Sequence, residues 1–325
     1  LLTVPPPPEP HQRPPAPPPR VGTPPPLGCD PVNAPPAAID GRGRMAPPAA
    51  ERLRRRSLLT LACPRLDATL RGGLPTGLVT ELVGESTAGK TALALQELLA
   101  CQLPPEEGGL GGAALYVHTE GQPPLQRLRE LAASREAFAS LAHDPCDHVY
   151  VKKALDGAAE LVSVLESAGA LLAAPLQRRV RLVVVDSVAN ALRGGEDDAA
   201  IGRSEALYDV ARLLKQYAHE HDAAVLVTNH VVDVCGDLPE ERAWRVARAG
   251  VPRPLRTSGR DVLPALGLHW SSCVNVRVFL ARGAQASGGE AAGPRRSLTV
   301  VFAPHLPPAR CQLVVAGDGV HGVDE

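Results

Sequence analysis

Eight consecutive residues, Gly84-Glu85-Ser86-Thr87-Ala88-Gly89-Lys90-Thr91, match the phosphate-binding pattern G-x-x-x-x-G-K-[ST] at every fixed position. The preceding run, 78–83, is typical of a strand, and the following run, 92–100, consists of strong helix formers. A helix that begins directly after a glycine-rich turn points its backbone N–H groups and its positive dipole end at an anion. Lys90 would then bind the β- and γ-phosphates, and the Thr91 hydroxyl would bind Mg²⁺. The pattern predicts a nucleoside triphosphate site.

Two carboxylates follow strand-like runs elsewhere in the chain. Phosphoryl transfer needs a carboxylate near Mg²⁺ and a group that orients or deprotonates water. The apolar run 181–185 leads to Asp186, and the run 113–119 leads to Glu120. Since ligands bind at the carboxyl ends of parallel strands, we expect Asp186 to bind the metal and Glu120 to act as the catalytic base. The alternatives are a helix N-cap at Asp186 and a solvated loop glutamate at Glu120.

Length and composition narrow the class of protein. The chain has 325 residues, which is enough for one large α/β domain plus a tail. Its net charge of −1 does not indicate a particular class of partner. Seven scattered cysteines without a C-x-x-C pair predict reduced thiols in an intracellular protein, rather than disulfides or a zinc site. No apolar run is long enough to cross a membrane.

The chain divides near residue 50. Residues 1–50 contain more than half of the prolines, so we expect this tail to be disordered or polyproline-like. It is either a partner-binding proline tract or an incorrect extension of the gene model; Met45 is the only methionine and is predicted to be the true start. Residues 51–325 are predicted to form the folded core.

Strand-like and helix-like runs alternate from residue 58 onwards. The predicted strands are 79–83, 113–119, 148–153, 180–186 and 223–229, followed by three near 273–281, 297–303 and 311–316. The predicted helices are the one after the glycine-rich turn, 125–140, 156–172 and 204–220. This order indicates an α/β fold with a mostly parallel sheet covered by helices. The short connections between the last strands predict antiparallel pairing at the C-terminal end.

The stretch from Val232 to Pro264 is predicted to be a long loop that is rich in arginine and contains one tryptophan. Arginines along a loop suit a phosphate backbone, and a tryptophan can stack on a base. A surface loop without function is the alternative. The predicted DNA-binding residues of this stretch are Arg242, Trp244, Arg245, Arg248, Arg253, Arg256 and Arg260.

Five stretches carry a family resemblance: 66–75, 86–91, 144–151, 258–268 and 303–308. Together they resemble the RecA-like recombinases and, within them, the eukaryotic Rad-type paralogs that assist homologous recombination. The resemblance implies a RecA-like P-loop ATPase core that uses ATP and Mg²⁺. It also implies a nuclear protein, with the cytoplasm as a second location. The implied partners are single-stranded and junction DNA, another recombinase paralog and the main recombinase.

The resemblance also assigns roles to individual residues. Arg127 falls where the family stacks an arginine on adenine, and Pro307 matches a proline that covers the neighbouring subunit's nucleotide. His230 replaces a glutamine that senses the γ-phosphate, and an imidazole can also donate a hydrogen bond to phosphate. Arg203 falls in the first DNA loop of the family. Phe302 stands where the main recombinase has an acidic residue over the neighbour's ATP, which favours a heteromeric partner over long self-filaments.

Three functions are compatible with these patterns. The first is an ATP-dependent accessory protein of double-strand break repair with slow hydrolysis, for which every catalytic position is present. The second is a mainly structural subunit that uses ATP to hold an interface, which the altered His230 and Phe302 positions favour. The third is an autonomous strand-exchange recombinase.

Overall fold

The computed structural model describes residues 56–193, 200–234, 254–283 and 295–324. The strands are β1 (Leu58–Leu59), β2 (Leu74–Pro75), β3 (Val79–Gly84), β4 (Ala113–His118), β5 (Val149–Lys153), β6 (Val180–Asp186), β7 (Ala224–Asn229), β8 (Val231–Asp233), β9 (Leu255–Thr257), β10 (Arg260–Pro264), β11 (Val276–Arg282), β12 (Arg296–Phe302), β13 (Arg310–Ala316) and β14 (Gly319–Val323). The α-helices are α1 (Pro64–Thr69), α2 (Lys90–Ala100), α3 (Leu125–Ser134), α4 (Glu136–Ala139), α5 (Ala158–Ala173), α6 (Val188–Leu192), α7 (Ala200–Glu220) and α8 (Gly267–Ser271).

The main sheet has nine strands in the order β14-β13-β12-β11-β3-β7-β6-β4-β5. The six strands from β11 to β5 pair in parallel, whereas β11, β12, β13 and β14 pair antiparallel with one another. This arrangement confirms the predicted RecA-like α/β fold with antiparallel strands at the C-terminal end. β3, which precedes the glycine-rich turn, lies between β11 and β7.

Helices cover both faces of this sheet because successive strand residues point to opposite sides. On β6, Leu182 and Val184 pack in one hydrophobic cluster with the apolar residues of α2 and α3. Val183 and Val185 pack in a second cluster with α5 and α7. The continuous apolar sequence of β6 is therefore buried on both faces, as parallel strands require.

Several predicted boundaries were wrong. The predicted helix 125–140 ends at Ser134, because the backbone of Arg135 is extended (φ −107°, ψ 119°), and the short helix α4 follows. The predicted loop from Val232 to Pro264 contains strands at its described ends: β8, β10 and β9 form a separate three-stranded antiparallel sheet. β14 was not predicted.

A buried ion pair joins the strands beside the glycine-rich turn. Glu81 on β3 is fully buried and accepts hydrogen bonds from Arg277 Nε on β11, from Trp270 Nε1 at 2.8 Å and from Asn229 Nδ2 at 2.6 Å. Asn229 immediately precedes His230, and Glu81 lies three residues before Gly84. The network therefore fixes the relative positions of two strand ends that carry predicted site residues.

Two further features bear on the expected class of protein. Among the described residues, Cys63, Cys101, Cys146, Cys273 and Cys311 are free thiols. None of the helices in the described part of the chain combines the length and the apolar character that a bilayer crossing needs.

Candidate nucleotide site

The glycine-rich turn connects the end of β3 to the first residue of α2, and two of its glycines are sterically required. A Cβ on Gly84 would lie 2.6 Å from the Leu280 carbonyl oxygen of the neighbouring strand β11. Gly89 has φ +108°, a left-handed conformation that favours glycine, and a Cβ there would lie 3.0 Å from Val315 Cγ2. The turn can therefore bring its backbone N–H groups close to a phosphate, as the sequence predicts.

Lys90, the first residue of α2, is buried beneath this turn. Its Nζ donates to the carbonyl oxygens of Gly84 at 2.8 Å and Glu85 at 2.9 Å. Burial lowers the pKa of Lys90, while the carboxylates of Asp186, Glu120 and Glu85 oppose this shift. An ammonium group has three protons to donate, so Lys90 can contact a phosphate oxygen from this position.

Asp186 ends β6 and faces the helix that carries Thr91. Thr91 Oγ1 donates to Asp186 Oδ2 at 2.8 Å, and the hydroxyls of Tyr116 and Thr228 also donate to this carboxylate. Burial, together with the charge of Asp186, raises the pKa of Tyr116, so the phenol stays protonated and donates. A carboxylate and a hydroxyl fit Mg²⁺, which takes one or two protein oxygens and completes its shell with water and substrate phosphates.

Glu120 lies two residues beyond the end of β4, opposite His230 at the end of β7. His230 Nε2 lies 3.1 Å from Glu120 Oε1, and Ser187 Oγ donates to the same oxygen at 3.3 Å. Partial burial acts to raise the pKa of Glu120, but the His230 and Ser187 hydrogen bonds and the charge of His230 outweigh it and lower the pKa. Glu120 is therefore ionised and is a weaker base than a solvated glutamate.

These side chains share one cavity of about 300 Å³ at the carboxyl ends of the parallel strands. The structure brings together the predicted metal and catalytic residues and most of the predicted phosphate residues, whereas Gly84, Glu85 and Ala88 of the turn do not line the cavity. The cavity is lined by Ser86, Thr87, Gly89, Lys90, Thr91, Ala92, Glu120, Asp186, His230, Arg296 and Val315. Arg296 and Val315 were not predicted from the sequence and come from the antiparallel strands β12 and β13. Arg296 Nε donates to the Thr87 carbonyl oxygen at 3.4 Å, and no sequence motif marks it.

The two residues assigned to adenine and to the neighbouring subunit lie outside this cavity. Arg127 Nη2 on α3 donates to the carbonyl oxygen of Ala316 at 2.8 Å, at the end of β13. Pro307 is exposed in the connection between β12 and β13. Neither lines the cavity of its own chain. For Pro307 this is compatible with the predicted contact to a neighbour.

The predicted DNA-binding residues are only partly described. Arg256 is exposed on β9, whereas Arg260 on β10 donates to Glu85 Oε2 and to both oxygens of Asp233, each at 2.9 Å. Arg203 belongs to α7, but its side chain lies outside the described part of the structure. Also outside the described residues are Arg242, Trp244, Arg245, Arg248 and Arg253.

Comparison with known proteins decides the family. The family model described as Rad51 matches residues 54–243, more than half of the chain. The chain belongs to the Rad51 family. The predicted RecA-like, Rad-type identity is thereby confirmed.

Individual proteins with recombination or repair names are similar to this chain over most of their own length. The chain is 33% identical to the DNA repair protein XRCC3 homolog of Arabidopsis thaliana over 286 residues, which cover 82% of this chain and 93% of that protein. It is 38% identical to the DNA repair protein XRCC3 of Bos taurus over 82% of this chain and 74% of that protein. It is 28% identical to the DNA repair and recombination protein RadA of Metallosphaera sedula over 82% of this chain and 73% of that protein.

These similarities to XRCC3 proteins confirm the Rad-type paralog branch that the sequence motifs indicate. Arg296 and Val315 lie beyond residue 243, where the match to the Rad51 family model ends. They complete the wall of the cavity in the structure.

Proposed function

We propose that the chain is an ATP-dependent accessory protein of homologous recombination and double-strand break repair that acts in the nucleus. The role in recombination and repair rests on membership of the Rad51 family. The nucleotide dependence rests on one observation: Lys90, Thr91, Asp186, Glu120 and His230 line a single cavity. In this proposal ATP and Mg²⁺ bind there, and slow hydrolysis follows.

The residues that line the cavity have the following proposed roles. Lys90 and the N-terminus of α2 hold the β- and γ-phosphates. Thr91 and Asp186 hold Mg²⁺, which supplies charge neutralisation at the phosphates. Glu120 orients and deprotonates the attacking water, and His230 donates a hydrogen bond to the terminal phosphate. Arg127 and Pro307 lie outside the cavity and take the roles that the family resemblance implies: Arg127 stacks on adenine, and Pro307 covers the nucleotide of a neighbouring subunit.

The partners follow the same proposal. The arginine-rich stretch with Trp244 binds single-stranded and junction DNA through phosphates and a stacked base. Arg203 contributes from the start of α7. Another recombinase paralog and the main recombinase assemble with the chain as a hetero-oligomer, since Phe302 replaces an acidic residue expected in a self-assembling recombinase.

Calorimetric titration with Mg–ATP tests the nucleotide site. Because Lys90 makes charge-assisted contacts, Lys90→Ala should weaken ATP binding by about 10- to 100-fold, the worth of such a hydrogen bond. Lys215→Ala removes an exposed lysine of α7 and should bind like the parent chain. Asp186→Asn should weaken binding with Mg²⁺ and leave binding in a chelator unchanged. If a folded Lys90→Ala chain binds Mg–ATP with the affinity of the parent chain, the proposed nucleotide site is wrong.

One observation favours the second candidate, a mainly structural ATP-binding subunit. Glu120 Oε1 accepts from both His230 and Ser187, and these contacts lower its basicity. Under this candidate, ATP strengthens assembly with the partner paralog equally in the parent chain and in Glu120→Gln. To separate the candidates, we would measure the affinity of the chain for the partner paralog with ATP, with a non-hydrolysable ATP analogue and without nucleotide. Equal affinity with ATP and with the analogue identifies the structural role.

A further inference from the structure

Two arginines lie directly opposite each other at the ends of β11 and β12 that border the glycine-rich turn. Arg282, the last residue of β11, pairs with Arg296, the first residue of β12. Like charges at directly opposed positions of antiparallel strands destabilise a sheet. Burial lowers the pKa of Arg296, and the positive charge of Arg282 lowers it further, while the guanidinium stays protonated. An anion that binds beside this pair would relieve the repulsion.

Both arginines contact Thr87, in the middle of the glycine-rich turn. Arg282 Nη1 donates to Thr87 Oγ1 at 3.1 Å, and Arg296 Nε donates to the Thr87 carbonyl oxygen at 3.4 Å. Thr87 has φ +61°, a left-handed conformation that is costly for a β-branched residue. Such residues persist where their surroundings hold them, and they cluster at ligand sites. The two arginines therefore hold a strained part of the phosphate-binding turn.

The arginine pair borders two cavities that adjoin at Thr87. Arg296 lines the nucleotide cavity, whereas Arg282 lines a neighbouring cavity of about 460 Å³. A guanidinium has five N–H donors, more than the Thr87 contact uses, so Arg296 can hold the turn and also donate to a phosphate oxygen. Lys90 lines the same cavity as Arg296. A phosphate of the nucleotide is therefore the anion within reach of the pair.

We propose that Arg296 binds a phosphate group of the nucleotide, and that Arg282 is a positioning residue that directs the Arg296 guanidinium toward it by charge repulsion. This inference rests on the proposed function and deepens it, because it adds a cation from the antiparallel part of the sheet to the phosphate-binding residues. The repulsion between the two arginines is a cost to the nucleotide-free chain, and the bound phosphate removes that cost.

Calorimetric titration of the full chain with Mg–ATP, at low and at high salt, tests the phosphate contact. Arg296→Gln should weaken binding about 10- to 100-fold at low salt, the worth of a charge-assisted hydrogen bond, and the loss should shrink at high salt. Arg296→Lys keeps the charge and should recover part of the loss. Arg295→Gln is the matched control, because it removes the same charge from an exposed neighbouring residue and should bind like the parent chain.

Thermal unfolding separates phosphate binding from a purely structural role. Without nucleotide, the melting temperature of Arg296→Gln should not lie below the parent's, because the lost repulsion offsets the lost contact with the Thr87 carbonyl oxygen. Saturating Mg–ATP should raise that melting temperature less than it raises the parent's. A lower nucleotide-free melting temperature together with undiminished ATP affinity would make Arg296 a structural residue and overturn the inference.

Arg282→Gln tests the positioning role. It should weaken Mg–ATP binding at least about twofold, and the loss in the double variant should be smaller than the product of the two single losses, because neighbouring residues that act on one contact are coupled. Urea unfolding verifies that each variant is folded. Should Arg296→Gln fail to fold, Arg282→Gln carries the test, and an undiminished affinity in it overturns the inference.

The remaining outcomes distinguish this inference from the proposed function. A parent chain that does not bind Mg–ATP defeats the proposed function and the inference with it. A parent chain that binds Mg–ATP, beside a folded Arg296→Gln chain of equal affinity, overturns the inference alone. An Arg296→Gln chain that keeps its ATP affinity but binds an oligothymidine strand more weakly, with a flatter salt slope, would make the pair a DNA contact and overturn the inference as well.

Discussion

Replacing Arg277 with methionine tests how the strand ends of the nucleotide site are held together. Arg277 is 1% exposed and Glu81 is fully buried, so the substitution leaves a buried carboxylate without its countercharge. Removing one partner of such a pair costs about 3–5 kcal/mol. Trp270 and Asn229 still donate to Glu81, which places the cost near the lower end. The guanidinium also lies 5.2 Å from the Phe302 ring centroid, a contact worth about 0.5–1 kcal/mol.

The expected loss is therefore about 3–4 kcal/mol in the free energy of unfolding. Urea unfolding followed by circular dichroism measures it. The double variant Glu81→Gln with Arg277→Met should regain at least about 1.5 kcal/mol, because no charge is then buried alone. A loss below about 1 kcal/mol for Arg277→Met, or no recovery in the double variant, would refute the assignment of this network as the support of the site.

Three further predictions address other parts of the molecule. Burial raises the pKa of Glu97 well above its ordinary value, so the folded chain retains a proton that the unfolded chain loses. The free energy of unfolding of the chain therefore falls as the pH rises above the pKa that Glu97 has in the unfolded chain. Glu97→Gln should raise the free energy of unfolding by about 1–2 kcal/mol at pH 7 and change it little at acid pH, and urea titrations at several pH values measure this difference. Gly84→Ala should lower stability by about 1–3 kcal/mol through its clash with β11, and a thermal melt like the parent's would disprove the close approach. Loss of three arginines of the arginine-rich stretch should lower the log–log salt slope of single-strand binding by about 2, at about 0.7 per phosphate contact, and an unchanged slope would exclude them. The three arginines are Arg242, Arg245 and Arg248.

The parts of the site that a local pattern encodes could be predicted from the sequence. The glycine-rich turn is one such pattern, because its conformation depends on adjacent residues. Asp186 and Glu120 could be placed because each follows a strand, and the carboxyl ends of parallel strands share one edge of the sheet. The mostly parallel fold followed from the alternation of strands and helices.

The remaining contacts depend on residues that are far apart in the chain. Arg296 and Val315 reach the nucleotide cavity only because β12 and β13 extend the sheet beyond β11, the neighbour of β3. The small sheet was mistaken for a loop because β9 and β10 are short and polar, with arginine, aspartate and proline where a strand pattern would have apolar alternation. The partners of Arg260 could not be inferred, since Glu85 is 175 residues away in sequence.

ATP turnover by the full chain, with single-stranded DNA and with the partner paralog, tests the central claim most directly. We expect slow turnover by the parent chain and a decrease of about 10²- to 10⁴-fold in Glu120→Gln, the usual effect of losing a general base, with ATP still bound. Turnover that is unchanged in a folded Glu120→Gln chain would contradict the account, because the water would then be activated by another group.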